Sequence, residues 1–126
     1  MKADLFYYGE NNMAYEYDKV KLVRIVDGDT YYLEVDMGFN IKTVASFRLR
    51  GVDTPETWRP KSDEELKKGQ KATAFVKDSF AKATNIKIKS HKAGIYARWE
   101  ADVFLELDGK YESLAELLTV NDLLKD

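Results

Sequence analysis

Three apolar segments separated by turn residues lie near the start of the chain, and they restrict its fold more than any other feature. Val20 to Val26 is rich in β-branched residues and stops at an Asp-Gly pair, which is a strong turn signal. Thr30 to Met37 alternates apolar with polar residues, the pattern of a strand that is buried on one face. After a turn that contains glycine, Lys42 to Val52 returns as a third strand. These segments predict an antiparallel three-stranded meander.

The rest of the chain adds helices and further strands to this meander. Glu64 to Ala83 has an apolar stripe at helical spacing and predicts one long helix. The other predicted elements are a strand at 86–89, a loop at 90–95, a strand at 96–107, a helix at 114–118 capped by Ser113, and a final helical turn at 121–124. We interpret residues 1–19 as an N-terminal arm and residues 20–126 as one domain of the α+β class, with one long helix and one or two short C-terminal helices.

The composition excludes several classes of site. The 126 residues include no cysteine, so disulfides, thiolate zinc sites and cysteine nucleophiles are excluded, and the single histidine, His91, rules out a histidine metal cluster. Neither a signal peptide nor a membrane-spanning segment is visible in this sequence, which predicts a soluble protein without a membrane partner and leaves its compartment open. The net charge of −2 argues against a protein that coats nucleic acid non-specifically, but it is compatible with an enzyme that has a local basic patch.

Three acidic residues, Asp29, Asp53 and Glu56, lie at or just beyond the ends of strands in the predicted meander. Such ends converge at one rim of a sheet, so these carboxylates are expected to lie close together. Hard cations such as calcium prefer several oxygen ligands, and two carboxylates with the backbone oxygen of Thr54 and water would supply them. Taken singly, each acid is better explained as an ordinary turn residue, because Asp-Gly and Thr-Pro pairs mark turns in many folds.

Two arginines, Arg48 and Arg98, suit the same chemistry. Arg48 shares one face of its predicted strand with Arg50, because side chains alternate along a strand. A guanidinium presents a fork of N–H donors that matches phosphate oxygens, and the interaction strengthens as charge accumulates in a transition state. Each arginine is also compatible with a salt bridge to a neighbouring acid. Together with the acids, these residues favour a site that handles phosphate with a hard metal ion.

Three sequence blocks resemble the staphylococcal nuclease-like (thermonuclease) family. They occur in the order typical of that family, and they are Asp-Gly-Asp-Thr at 27–30, Phe-Arg-Leu-Arg-Gly-Val-Asp-Thr-Pro-Glu at 47–56 and Tyr-Ala-Arg at 96–98. The resemblance implies an oligonucleotide-binding-type barrel of five strands with helices packed on it. It also implies calcium-dependent hydrolysis of DNA or RNA phosphodiesters, with single-stranded nucleic acid preferred, to products with 3′-phosphate ends.

The resemblance also implies a role for individual residues. The implied calcium ligands are Asp29, Asp53 and the backbone oxygen of Thr54. The implied catalytic groups are Glu56, which faces the attacking water, and the two arginines that hold the phosphate, Arg48 and Arg98. The implied contact with the nucleotide is Tyr96. The third block departs from the family, because Gly94–Arg98 stands where the family has Asp-Lys-Tyr-Gly-Arg, and the tyrosine-bearing loop and long final helix of the secreted members have no counterpart in this sequence.

Two other functions are compatible with the same sequence. One is a non-catalytic module of the same fold that binds single-stranded nucleic acid or a protein partner. The bases of the bound nucleic acid would stack on aromatic side chains of the module, and the candidates are Tyr31, Tyr32, Tyr96 and Trp99. The other is a structural subunit that docks on a partner through its short C-terminus.

Overall fold

The protein forms one mixed sheet with two helices. The structure, a computed structural model, describes residues 14–93 and 98–126, and for residues 93 and 98 the backbone alone. Its elements in chain order are β1 (Ala14–Tyr17), β2 (Val20–Asp27), β3 (Thr30–Asp36), β4 (Lys42–Leu49), α1 (Asp63–Lys82), β5 (Ile86–Ala93), β6 (Arg98–Leu107), β7 (Lys110–Ser113) and α2 (Leu114–Val120). The predicted α+β class and the three-stranded meander are confirmed.

The sheet contains seven strands rather than five. The strand order is β1-β5-β6-β4-β3-β2, and β7 pairs with the C-terminal end of β6, at residues 104–107, beyond the part of β6 that pairs with β4. All described pairs are antiparallel except β4 with β6, which run parallel. The two additional strands are β1, which comes from the predicted N-terminal arm, and the short β7. Within the described residues no ladder joins the two ends of this path.

The core lies between the inner face of the sheet and the two helices. Tyr31, Leu33 and Val35 of β3 are buried at every second position, as the alternating pattern predicts. The Tyr31 ring meets the Phe80 ring of α1 edge to face, with centroids 5.2 Å apart. Because these residues face inward, the intervening residues of β3 and β4 face outward, and Arg48 is among them.

Helix α1 begins at Asp63, one residue before the predicted start, and α2 begins at the predicted Leu114. The Ser62 hydroxyl accepts a hydrogen bond from the Glu65 amide at 3.1 Å and caps α1, and Ser113 caps α2 in the same way. The apolar stripe of α1 is confirmed, because Ala72, Val76 and Phe80 are buried. None of the helices in the described residues is long and apolar enough to cross a membrane.

Three predicted boundaries are wrong. The third strand ends at Leu49 rather than at residue 52, because the chain turns at Gly51, whose φ of +83° glycine adopts without strain. The strand predicted at 86–89 continues to residue 93, since β6 and β1 both pair with it. The helical turn predicted at 121–124 does not form, because Asp122 adopts a φ of +56°. Residues 94–97, which include the predicted substrate contact Tyr96, lie outside the described residues.

Candidate functional site

Three separate chain segments meet at the outer face of β4. Asp29 comes from the turn between β2 and β3, Arg48 from β4, and Asp53 with Thr54 from the loop that follows β4. One nitrogen of the Arg48 guanidinium, Nη2, lies 3.6 Å from Asp29 Oδ2 and forms a second ion pair with Asp53 Oδ1. It also donates a hydrogen bond to the Val52 carbonyl at 3.4 Å. Four of the predicted site residues therefore lie together.

The Asp29 carboxylate is held by hydrogen bonds from two sides. Its Oδ2 atom accepts the Thr54 backbone N–H at 3.0 Å, and its Oδ1 atom accepts the Thr30 hydroxyl at 3.2 Å. The Asp29 carbonyl accepts the Leu49 amide at 2.7 Å, which ties the turn to β4. Only 13% of the side chain is exposed. A carboxylate with these contacts has a fixed position, as a ligand or charged partner needs.

Arg48 compensates the charge of two carboxylates. Its side chain is 22% exposed, whereas that of Asp53 is 65% exposed. Charge-assisted pairs of this kind are stronger than neutral hydrogen bonds, and more so where one partner is largely shielded from water. The guanidinium therefore occupies the position between the two acids. A phosphate that engaged Arg48 would compete with these carboxylates for its donors.

Gly28 allows the Thr54 side chain to approach the turn between β2 and β3. A Cβ atom at position 28 would lie 2.8 Å from Thr54 Oγ1, a distance that real Cβ atoms essentially never show, and 3.0 Å from Thr54 Cβ, which is tighter than most Cβ contacts. The Thr54 hydroxyl is buried and has no hydrogen-bond partner among the described residues. Leaving a buried hydroxyl unpaired costs about 1–3 kcal/mol, so it is a feature that a bound ion or water would relieve.

The oxygen atoms at this corner fit a hard cation. The Asp29 and Asp53 carboxylates converge on one nitrogen of Arg48, Thr54 is joined to Asp29 through its backbone amide, and calcium prefers carboxylate and carbonyl oxygens as ligands. In the part of the chain that the structure describes, no group of three or more acidic or histidine side chains could hold a metal ion. Glu56 therefore does not join the two aspartates directly. A cation here would complete its shell with backbone oxygens and water.

Glu56 lies in an exposed loop that rests on helix α1. A Cβ atom on Gly69 would lie 2.7 Å from the Pro55 carbonyl oxygen and 3.0 Å from that of Glu56. Gly69 is therefore the contact point for this loop, although in the sequence it looks only like a weak position in a helix. At the other side of the loop, the Thr57 hydroxyl donates a hydrogen bond to Asp27. These contacts fix the backbone that carries Glu56.

Replacing Gly69 with alanine tests this contact. Alanine normally stabilises a helix by about 1 kcal/mol relative to glycine. Here we expect the opposite sign, a loss of about 1–2 kcal/mol in the free energy of unfolding, because the new methyl group meets backbone oxygens and overpacking costs about 1–3 kcal/mol. Urea denaturation measures the change. Gln70→Ala, at an exposed neighbouring position, is the matched control and should be neutral or slightly stabilising; a stabilised Gly69→Ala protein contradicts the contact.

Tyr31 lies directly beneath the site. Its hydroxyl donates a hydrogen bond to the Gly28 carbonyl, and its side chain is fully buried. Burial, together with the negative charge of Asp29, raises the pKa of the Tyr31 hydroxyl well above its ordinary value, so the group stays protonated. The suggestion that Tyr31 stacks nucleic-acid bases is wrong, because it supports the turn from inside the core.

The structure describes Arg98 only by its backbone. It begins β6 and pairs with Ala93 of β5. In the parallel ladder, Arg48 pairs with Glu100, so position 98 is two residues from the partner of Arg48. The register is compatible with a second arginine near the site. For Arg98, as for Tyr96, the predicted role stays a prediction.

The neighbouring guanidinium has a different partner. Arg50 Nη1 lies 3.5 Å from Asp102 Oδ2, and the same carboxylate oxygen lies 3.0 Å from His91 Nε2. This ion pair gives Arg50 a role in charge balance away from the acids that contact Arg48. The contacts that sequence reasoning missed are those of Gly28, Gly69 and the Lys125 amide, which donates to the Asp53 carbonyl at 2.8 Å.

Comparison with known proteins adds no assignment to this site. No protein-family model matches the sequence, and no curated protein matches it either. The resemblance of the three sequence blocks to the thermonuclease family therefore stays a prediction.

Proposed function

We infer that this chain is a calcium-dependent phosphodiesterase that hydrolyses DNA or RNA, related to the thermonuclease family. One observation carries the proposal. The Asp29 and Asp53 carboxylates and the Arg48 guanidinium, which come from three separate segments, meet at one point beside the buried Thr54. Carboxylates that bind a hard cation, next to a guanidinium that binds phosphate, are the groups that hydrolysis of a phosphodiester needs.

The proposal includes an oligonucleotide-binding-type barrel. The five strands β2, β3, β4, β6 and β5 would form it. The two ends of the ladder path, β1 and β2, are separated by only Asp18 and Lys19, while β1 pairs with β5 and β2 pairs with β3. A barrel of this type would close through the bent segment that β1 and β2 form together. This arrangement supports the barrel and leaves the site on its outer surface.

Within this proposal, the residues of the site divide the chemistry among them. Asp29 and Asp53 would hold calcium with the Thr54 backbone oxygen, and calcium would supply a Lewis acid next to the phosphate. Arg48 releases its carboxylate contacts and donates to the phosphate oxygens, where negative charge increases as a fifth oxygen approaches the phosphorus. Arg98 supplies a second guanidinium, and Tyr96 contacts the nucleotide.

Glu56 acts on the attacking water. Its carboxylate accepts a proton from the water while the hydroxyl oxygen bonds to phosphorus and the bond from phosphorus to the leaving 5′ oxygen breaks. The leaving 5′ oxygen takes a proton from a solvent water, and Glu56 later gives its proton back to solvent, so the products are a 3′-phosphate and a 5′-hydroxyl. Glu56 is exposed to solvent in this structure, which gives water access to it. Its backbone position is fixed by the contact of its loop with Gly69.

A second candidate function is a nucleic-acid-binding module without catalysis. One observation favours it: both carboxylates already neutralise Arg48, and the described acidic side chains form no group of three that could hold a metal ion. In such a module the ion pairs would stabilise the fold. Single-stranded nucleic acid would then bind elsewhere on the outer surface.

A cleavage assay separates the two functions. We expect the protein to cut single-stranded DNA or RNA when calcium is present and to stop when a chelator removes it, because the metal carries part of the transition-state charge. Gel electrophoresis of end-labelled oligonucleotides, with and without terminal phosphatase treatment, measures cleavage and identifies the 3′-phosphate. Adding calcium again after the chelator should restore cleavage. A folded protein that cuts nothing with any of several divalent cations refutes the enzymatic function.

A further inference from the structure

A stacked pair of side chains, Arg24 and Tyr32, lies on the outer face of the meander. The guanidinium carbon of Arg24 is 4.7 Å from the centroid of the Tyr32 ring. The two residues are direct partners in the ladder between β2 and β3, so the backbone places them side by side. Arg24 is exposed and Tyr32 is half-buried. The pair therefore places an exposed guanidinium over an aromatic ring.

This pair shares its face with the candidate site. Tyr31 and Leu33 point into the core, so Thr30 and Tyr32 point outward. Thr30 is the ladder partner of Arg48, and Tyr32 is the partner of Ser46. Tyr32 is therefore a diagonal neighbour of Arg48 across the ladder, and such positions lie about 7–8 Å apart. That separation is about the reach of one nucleotide.

Arg24 differs from Arg48 and Arg50 in its charge environment. Arg48 and Arg50 each lie within ion-pair distance of a carboxylate. None of the ion pairs among the described residues involves Arg24. Its charge is therefore not compensated by a described carboxylate, and its contact is with an aromatic ring. A cation stacked on a ring keeps its other planar face available.

We propose that Arg24 and Tyr32 form a stacking platform for an unpaired nucleobase, next to the phosphate that Arg48 holds. The ligand class is single-stranded nucleic acid, and the part of the proposal that places a phosphate at Arg48 rests on the proposed function. A base stacks on a guanidinium plane or an aromatic ring through its π face, so the contact tolerates all bases. Paired bases within a duplex do not offer that face, so the platform selects single strands.

The platform would also supply a contact to the base, for which the only residue predicted from the family resemblance is Tyr96. In nucleic-acid-binding barrels of this type, the outer face of the second and third strands is a common binding surface. Here those strands are β3 and β4 of the proposed barrel, and Tyr32 lies on β3. The phosphate would occupy the Arg48 end of this face and the base the Arg24 end. The nucleotide would thus lie along the strands.

Binding in the presence of chelator tests the platform separately from cleavage. Fluorescence anisotropy at low salt measures the affinity for a labelled thymidine strand about ten nucleotides long. We expect Tyr32→Leu to weaken binding about 5- to 100-fold, because the loss of a base stack has this effect, and Tyr32→Phe to bind like the unaltered protein. Arg24→Lys keeps the charge but loses the plane, so it should weaken binding without changing the salt dependence.

A second cation–aromatic pair provides the matched control. Lys87 lies 4.5 Å from the centroid of the Tyr111 ring on strands β5 and β7, away from Arg48, so Tyr111→Leu should leave the affinity unchanged. A fully abasic strand of the same length carries the same phosphates without bases, and Tyr32→Leu should not alter its binding. Circular dichroism verifies that each variant is folded.

The outcomes distinguish the platform from the nuclease. The platform is refuted if Tyr32→Leu and Tyr111→Leu bind the thymidine strand alike, if Tyr32→Leu weakens abasic binding equally, or if the unaltered protein binds no strand at low salt. Base-dependent binding that requires Tyr32 supports the platform whether or not calcium produces cleavage. If such binding occurs without cleavage, the proposed enzymatic function fails and the binding surface remains.

Discussion

Arg48→Ala is expected to lower kcat/KM for cleavage of single-stranded DNA about 10³-fold or more. The physical reason is that the guanidinium interacts more strongly with the phosphate as it gains charge, and removal of a single donor of this kind costs about 10²- to 10³-fold, with larger losses for arginines that stabilise phosphoryl transfer. Arg48→Lys should recover little of the activity, because an ammonium group cannot reproduce the planar fork. Steady-state cleavage of a labelled oligonucleotide with saturating calcium measures both variants.

The same substitution should also affect the free protein. Without Arg48, the Asp29 and Asp53 carboxylates repel each other with no compensating charge, and one of them is largely buried. We therefore expect tighter calcium binding in Arg48→Ala than in the unaltered protein, measured by isothermal titration calorimetry. Tighter calcium binding together with lost cleavage would separate the phosphate role from the metal role.

Arg50→Ala is the matched control for Arg48→Ala. Arg50 lies two residues away, just past the end of β4, and its 51%-exposed side chain pairs with Asp102. Exposed pairs contribute about 0–1 kcal/mol to the free energy of unfolding, so this variant should stay folded and cleave like the unaltered protein. If both arginine variants retain full cleavage, Arg48 does not contact the reacting phosphate.

Glu56→Gln is expected to lower kcat about 10²- to 10⁴-fold and to leave the fold unchanged. Proton transfer by a positioned side chain contributes a factor of this size, and glutamine keeps the shape while losing the basic oxygen. Because Glu56 is exposed in a loop, its side chain adds little to stability. Single-turnover cleavage with calcium measures the rate, and thermal unfolding measures the fold.

The pH dependence of cleavage gives the second measurement for Glu56. A general base must be deprotonated, so the acidic limb of the rate profile should disappear in Glu56→Gln, and oligonucleotide affinity in chelator should not change. Glu64→Gln is the control, since Glu64 is an exposed acid in the first turn of α1 and pairs with Lys68 at 3.8 Å. An unchanged rate and profile in Glu56→Gln would falsify its role as the base.

The convergence of the site could be predicted from sequence because it follows from strand ends. The period-two pattern of β3 and β4 determines which side chains face outward, and the turns at Gly28 and Gly51 place Asp29 and Asp53 beside the strand that carries Arg48. The arrangement of Arg48 between both acids could not be predicted. Which donor a guanidinium selects depends on distances of a few tenths of an ångström, and no local pattern encodes them.

The roles of Gly69 and Tyr31 could not be predicted from the sequence, because they depend on tertiary contacts. Gly69 has a low helix propensity, and only the position of the Pro55 carbonyl explains why glycine is used there. Tyr31 belongs to the apolar face of its strand, yet its aromatic side chain is also of the type that stacks on nucleic-acid bases when exposed. Its burial beneath Gly28 decides between the two.

The amino-acid sequence by itself determined the α+β class, the meander, the two capped helices and the chemical types that gather near Arg48. These properties follow from local periodicity, turn residues and caps, which act over a few residues. Only the tertiary structure decided that β1 joins the sheet beside β5, that the Glu56 loop rests on Gly69, and that Arg24 stacks on Tyr32. Each of these contacts joins residues distant in sequence or in adjacent strands, and its geometry depends on how the backbone packs rather than on any local preference.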